Sequence, residues 1–134
     1  MALGGADALG FSIDAVHVFE NSKWTPLPPL PTARHALAAA SLVDGACGVC
    51  ALGGRTTSSG AGATVDADFF DLGAERWVKL PPLTGPRAFH ASATLEGRIF
   101  VLGGMDADGR RLASVDWLDP REGNVAKCLC QGVR

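Results

Sequence analysis

Residues 77–87 read WVKLPPLTGPR, and residues 24–34 read WTPLPPLPTAR. Superposed, they place Trp77 on Trp24, Leu80 on Leu27, Pro81 and Pro82 on Pro28 and Pro29, Leu83 on Leu30, and Arg87 on Arg34. One string, Trp-x-x-Leu-Pro-Pro-Leu-x-x-x-Arg, is used twice without a gap. A Leu-Gly-Gly triplet runs in step with it and ends at Gly5, Gly54 and Gly104. The two Trp copies stand 53 residues apart and the Gly-Gly copies 49 and 50. A near-constant period of about 50 residues is the mark of a repeat array, in which each unit needs its neighbour to cover its apolar face.

The best-formed unit begins near Thr84. The run 87–95, RAFHASATL, is a strand candidate closed by a turn at Glu96-Gly97. The run 98–102, RIFVL, is apolar as in a strand buried on both faces, and Gly103-Gly104 ends it. A polar loop follows from Met105 to Arg111, then a third strand over 112–119 that stops at Pro120, and a fourth near Val125. The preceding unit repeats this order, with strands over 34–42, 48–52, 64–71 and 76–80 and a loop over 55–63. In the third-strand column Val18, Phe69 and Trp117 correspond, then Phe19, Phe70 and Leu118, then the acids Glu20, Asp71 and Asp119. This predicts an all-β chain of short four-stranded antiparallel sheets.

Each repeated position has a structural reason. The double glycines Gly4-Gly5, Gly53-Gly54 and Gly103-Gly104 permit positive φ and close approach of another segment. Trp24 and Trp77 are suited to wedging between adjacent sheets. The Pro pairs force the chain out of its ladder, and Arg34 and Arg87 can brace that crossing by donating to backbone carbonyls.

Composition agrees. In 134 residues there are 17 Gly and 8 Pro, many turns for one domain-sized chain, and the net charge of −2 leaves no electrostatic footprint for nucleic acid or an anionic membrane. No run approaches the roughly 18–20 apolar residues that span a bilayer. The start lacks a basic segment and Asp7 interrupts its apolar character, which argues against a signal peptide and makes the cytoplasm the expected compartment. Cys47-x-x-Cys50 reads as part of a strand, where residues three apart face opposite ways and cannot grip one metal. Cys128 and Cys130 lack finger spacing, so four buried free thiols are expected, with no cofactor and no metal.

These residues resemble the Kelch repeat, a blade of the β-propeller fold. The resemblance rests on Leu102-Gly103-Gly104, on Phe70-Asp71 leading to Trp77, and on Leu80-Pro81-Pro82-Leu83 leading to Arg87. It covers nearly the whole chain and divides it into the second half of a blade (1–31), a full blade (32–83) and a blade degenerate at its last strand (84–134). The family's Tyr beside the strand-end acid is Phe19, Phe70 and Leu118 here, and the chain has no Tyr. Val125 stands where a Trp is expected, and Cys128, Leu129 and Cys130 replace Leu-Pro-Pro. Two and a half blades fall short of the four to eight of a closed ring. The expected explanations are a piece of a longer polypeptide or copies that self-associate through open blade edges.

The resemblance implies a protein–protein interaction module. Its partner-binding residues are expected in the loops after Gly-Gly: Arg55, Thr56, Thr57, Ser58 and Ser59 in one, Asp106, Asp108, Arg110 and Arg111 in the other. An Arg there suits carboxylate recognition through its bidentate fork. Many Kelch proteins are substrate receptors of cullin-based ubiquitin ligases and some bind actin, but no cullin-docking segment lies in these residues. His35 and His90 follow the crossover Arg at different offsets, and no metal or nucleophile motif is present, so no catalytic constellation is expected. The competing class is a propeller enzyme acting on carbohydrate, oxidase-like or epimerase-like. The absence of Tyr speaks against the oxidase.

Overall fold

The computed structural model describes residues 1–43, 47–56 and 62–120, and the backbone of 124–128. Eleven strands lie among them, in three antiparallel sheets and without a helix. The first sheet holds β1 (Ala2–Leu3), β2 (Val16–Glu20) and β3 (Lys23–Leu27) in that order. The second holds β4 (Ala38–Leu42), β5 (Gly48–Leu52), β6 (Ala67–Asp71) and β7 (Arg76–Lys79). The third repeats it with β8 (Ala91–Leu95), β9 (Arg98–Leu102), β10 (Val115–Asp119) and β11 (Asn124–Cys128).

The hairpins follow from their turn residues. Asn21 and Ser22 both take positive φ (50° and 61°), as do Glu96 and Gly97 (50° and 73°), the twist that a two-residue hairpin needs. Between β6 and β7 the Asp71 carboxylate accepts hydrogen bonds from the Gly73 and Ala74 amides. That gives the strand-end acid a local reason to recur.

The sheets stack, and alternation along β5 shows how. Cys50 and Leu52, with Ala67 and Phe69, pack in one cluster with Ile99, Val101 and Leu118 of the third sheet. Ala51, between them in sequence, packs on the other side with Val16 of the first sheet and Leu30 of the segment that follows it, joined by Leu3, Leu27 and Trp77. The inner strands β4 and β8 run side by side, with Ser92 Oγ donating to the Ala39 carbonyl and Thr94 Oγ1 to that of Ser41. Phe70 and Phe19 occupy the same column, yet Phe70 is fully buried and Phe19 is 54% exposed. Only Phe70 lies on a face that another sheet covers. Full burial of such a side chain is worth roughly 1.5–3 kcal/mol, so the neighbour supplies stability that local sequence cannot.

Several expectations need correction. The first strands begin four residues late, at Ala38 and Ala91, and the third strands three residues late, at Ala67 and Val115. In both places the leading residues build the crossover and the loop base instead. Strand β9 is covered on one face only. Ile99 and Val101 are buried, whereas Arg98 and Leu102 are exposed and the Arg98 guanidinium lies 4.9 Å over the Trp117 ring. Trp24 is 53% exposed and stacks on Phe19 without wedging between sheets; Trp77 stacks on Phe70 and donates at 3.0 Å to the carbonyl of Pro28, just past the last strand of the first sheet. Cys47 precedes its strand and is exposed, while Cys50 is buried within it; both are free thiols. Burial, aided by the charge of Asp68, pushes the Cys50 thiol up to about 12, which keeps it protonated and unreactive. The side chains of Val125 and Cys128, and all of Leu129 and Cys130, lie outside the described residues.

Candidate interaction surface

The three Gly-Gly pairs share one conformation, positive φ at both residues. Gly53 and Gly54 show why. A Cβ on Gly53 would collide with the Arg87 carbonyl oxygen, and one on Gly54 would lie 2.8 Å from that of His35. The crossover into the third sheet therefore passes against bare backbone, and the Gly54 amide donates to the Arg87 carbonyl at 2.8 Å. One period earlier the Gly5 amide donates to the Arg34 carbonyl, also at 2.8 Å.

The other end of each arginine points into its own sheet. Arg34, fully buried, donates to the carbonyls of Gly53 (3.1 Å) and Asp66 (3.0 Å) and closes a 2.6 Å ion pair with the buried Asp68. Arg87 does the same with Gly103 (3.1 Å), Ser114 and, at 3.0 Å, Asp116, whose carboxylate also accepts from Thr84. Asp68 and Asp116 occupy the same column, so each full sheet carries one internal Arg–Asp bolt.

Beyond the glycines the loops are built on short bridges. Ala6 pairs with Ser12; His35 with Arg55, and Arg55 with Ala63; Ala88 with Met105, and Met105 with Arg111. Ser12 Oγ lies 2.8 Å from His35 Nδ1 and donates to the Arg55 carbonyl. All the loops after Gly-Gly thus lie at one end of the stack. Asp7 accepts from the Leu9 and Phe11 amides, and Asp106 from those of Asp108 and Arg110, so both carboxylates are turned into their own loops. Asp108 and Arg110 are exposed and 3.2 Å apart, and Arg111 and Thr56 are exposed. Arg55 is half-buried, with its guanidinium 5.6 Å over the Phe89 ring. Thr57, Ser58 and Ser59 lie outside the described residues. Among the described residues no group of three His, Cys, Asp or Glu side chains stands close enough to hold a metal ion.

A family description, the Kelch motif, matches residues 86–124. The match takes in the second Arg, the third Gly-Gly and the third strand with its acid. These blades are Kelch repeats. Kelch-like protein 35 of Homo sapiens is 34% identical over 125 residues, which cover 90% of this chain and 20% of that protein. Alpha-scruin of Limulus polyphemus is 29% identical over 132 residues, covering 91% of this chain and 14% of the relative. An F-box/kelch-repeat protein of Arabidopsis thaliana is 28% identical over 124 residues, 90% of this chain and 31% of the relative. The chain therefore spans about a fifth of the first of these and less than a third of the others.

Sequence reasoning missed three features of the Kelch blades. The partners Asp68 and Asp116 were hidden because Arg34 and Arg87 reach them across unequal spans; their shared column was the available signal. The crossover residues Ala36 and Phe89 both take positive φ (52° and 56°) with no glycine to announce it. His90 is buried beside Arg87 at the seam between two blades, with neither ring nitrogen in a well-formed hydrogen bond. Burial first, then the Arg87 charge, lowers its pKa to about 4, and the Leu52 backbone offsets only part of this. The folded value lies below the unfolded 6.5, so this contribution to stability is complete above pH 6.5 and lost as pH falls towards 4. Allowing for solvent screening, urea titrations should lose about 2 kcal/mol over that window. His90→Leu should remove that part of the slope, and an unchanged slope in the variant would refute the assignment.

Proposed function

We propose that the chain is a non-catalytic protein-interaction module that receives its partner at the Gly-Gly end of the blades. The observation that carries this reading is a contrast at that end. Backbone bridges, glycine contacts and capping carboxylates hold the loop bases, while Leu9, Phe11, Phe89, Asp108, Arg110 and Arg111 stand exposed on them. A pre-ordered loop surface loses little entropy on docking, which favours recognition. No helix among the described residues is long and apolar enough to cross a membrane. A cytoplasmic setting is part of the same proposal.

The test is quantitative binding of a crosslink-identified partner to wild type and to the double variant Arg110→Ala, Arg111→Ala. Affinity is expected to fall about 10-fold while the melting curve stays within about 0.5 kcal/mol, and Lys23→Ala on the opposite end should bind as wild type. Equal affinity for all three proteins would refute the reading. The same preparations, sedimented alone, report self-association through the third blade's uncovered Leu95, Leu102 and Trp117 face; a monodisperse monomer would remove that part of the proposal.

A further inference from the structure

We infer that Arg55 and Phe89 form the seat for an acidic segment of the partner, an Asp or Glu carboxylate held by the Arg55 guanidinium next to an apolar side chain resting on Phe89. This rests on the reading of the Gly-Gly end as the interaction surface and names the chemistry that surface recognises.

Phe89 is the first observation. The crossover requires positive φ at this position, as Ala36 shows one period earlier, and a bulky aromatic there is strained. The residue is 56% exposed, so burial does not repay the strain. The Phe89 amide donates to the Ala36 carbonyl at 2.9 Å, which fixes the backbone that carries the ring. An exposed aromatic on a fixed, strained backbone is a contact surface in waiting.

Arg55 is the second. Its amide and carbonyl are both tied to His35, and its carbonyl also accepts from Ser12. The guanidinium over the Phe89 ring loses rotamer freedom through that stacking, while its in-plane N–H donors stay available for a planar carboxylate. Arg34, Arg87 and Arg110 each face an aspartate; among the described residues no carboxylate pairs with Arg55. The acids of the neighbouring loops do not compete, since Asp7 and Asp106 cap their own loops and Asp108 pairs with Arg110. The overall charge of −2 favours a short acidic peptide over a polyanion, which would need a broad basic field.

The experiment pans a random dodecapeptide phage library on the immobilised full chain and measures the selected peptides by fluorescence polarisation. The expected result is enrichment of Asp- or Glu-containing peptides whose affinity falls at least about 10-fold with Arg55→Ala and several-fold with rising salt. Phe89→Gly relieves the backbone strain, so it should weaken binding while the melting temperature holds or rises, which a merely structural Phe89 would not do. Should Arg55→Ala fail to fold, Arg55→Lys keeps the charge without the fork and should still bind about 3-fold or more weaker; unchanged affinity would overturn the proposal. Peptides that ignore Arg55 but lose affinity with Arg110→Ala or Arg111→Ala would overturn it and leave the interaction surface standing. An empty selection, or peptides indifferent to every loop variant, would overturn both.

Discussion

Arg34→Ala is expected to destabilise the chain by about 3–5 kcal/mol, a large share of the total for a domain of this size. The substitution leaves the Asp68 carboxylate buried without its 2.6 Å partner, removes the guanidinium donor of the Gly53 carbonyl, and leaves the Asp66 carbonyl with the Gly53 amide alone. Lys79 cannot take over: its ammonium reaches Asp68 only at 3.5 Å and is more than half exposed. The pair itself need not be worth that much, because two buried charges are costly to desolvate. Arg34→Met combined with Asp68→Leu should therefore recover most of the loss. Urea midpoints of the two single variants and the double variant check this. A single-variant loss below about 1 kcal/mol would mean that Arg34 is not the bolt its geometry describes.

Gly53→Ala should cost about 2–5 kcal/mol, by a different route. An alanine at φ +54° is strained by roughly 1–2 kcal/mol wherever it occurs. Here its methyl group also meets the Arg87 carbonyl of the next blade and lies 2.8 Å from the His90 ring, so one crossover must shift, at roughly 1–3 kcal/mol more. Gly109→Ala separates the two parts, since φ there is +80° and nothing lies within 4 Å of the added carbon. Equal losses for the two variants in thermal melts would show that the blade contact contributes nothing.

The architecture was legible because the signals that carry it are local and repeat: Gly-Gly at strand ends, acids at hairpins, Pro-Pro at crossovers. What was not legible depends on partners distant in sequence. Trp24 and Trp77 share a motif, yet among the described residues Trp77 donates to the Pro28 carbonyl while Trp24 is 53% exposed, a difference the motif itself does not encode. The first strands read too long because Arg34 and Arg87 carry apolar company, while the positive φ at Ala36 and Phe89 that delays the ladder has no glycine to mark it. At the candidate surface the sequence pointed to Arg55 through its place after Gly-Gly, but Phe89 entered only as a strand residue. Their meeting joins a loop of one blade to the crossover into the next, a contact that no single repeat contains.

The hydrogen bonds from Gly5 to the Arg34 carbonyl and from Gly54 to the Arg87 carbonyl set an order of assembly during synthesis. Each module's inner clasp is fastened by an oxygen encoded 29 or 33 residues later, by subtraction of those positions. At translation speeds of about 5–20 residues per second, a nascent module waits roughly 2–7 s for its fastener to be polymerised. Maturation along the growing polypeptide therefore trails elongation by more than half a repeat, and the most recently made segment is always the one most in need of a chaperone.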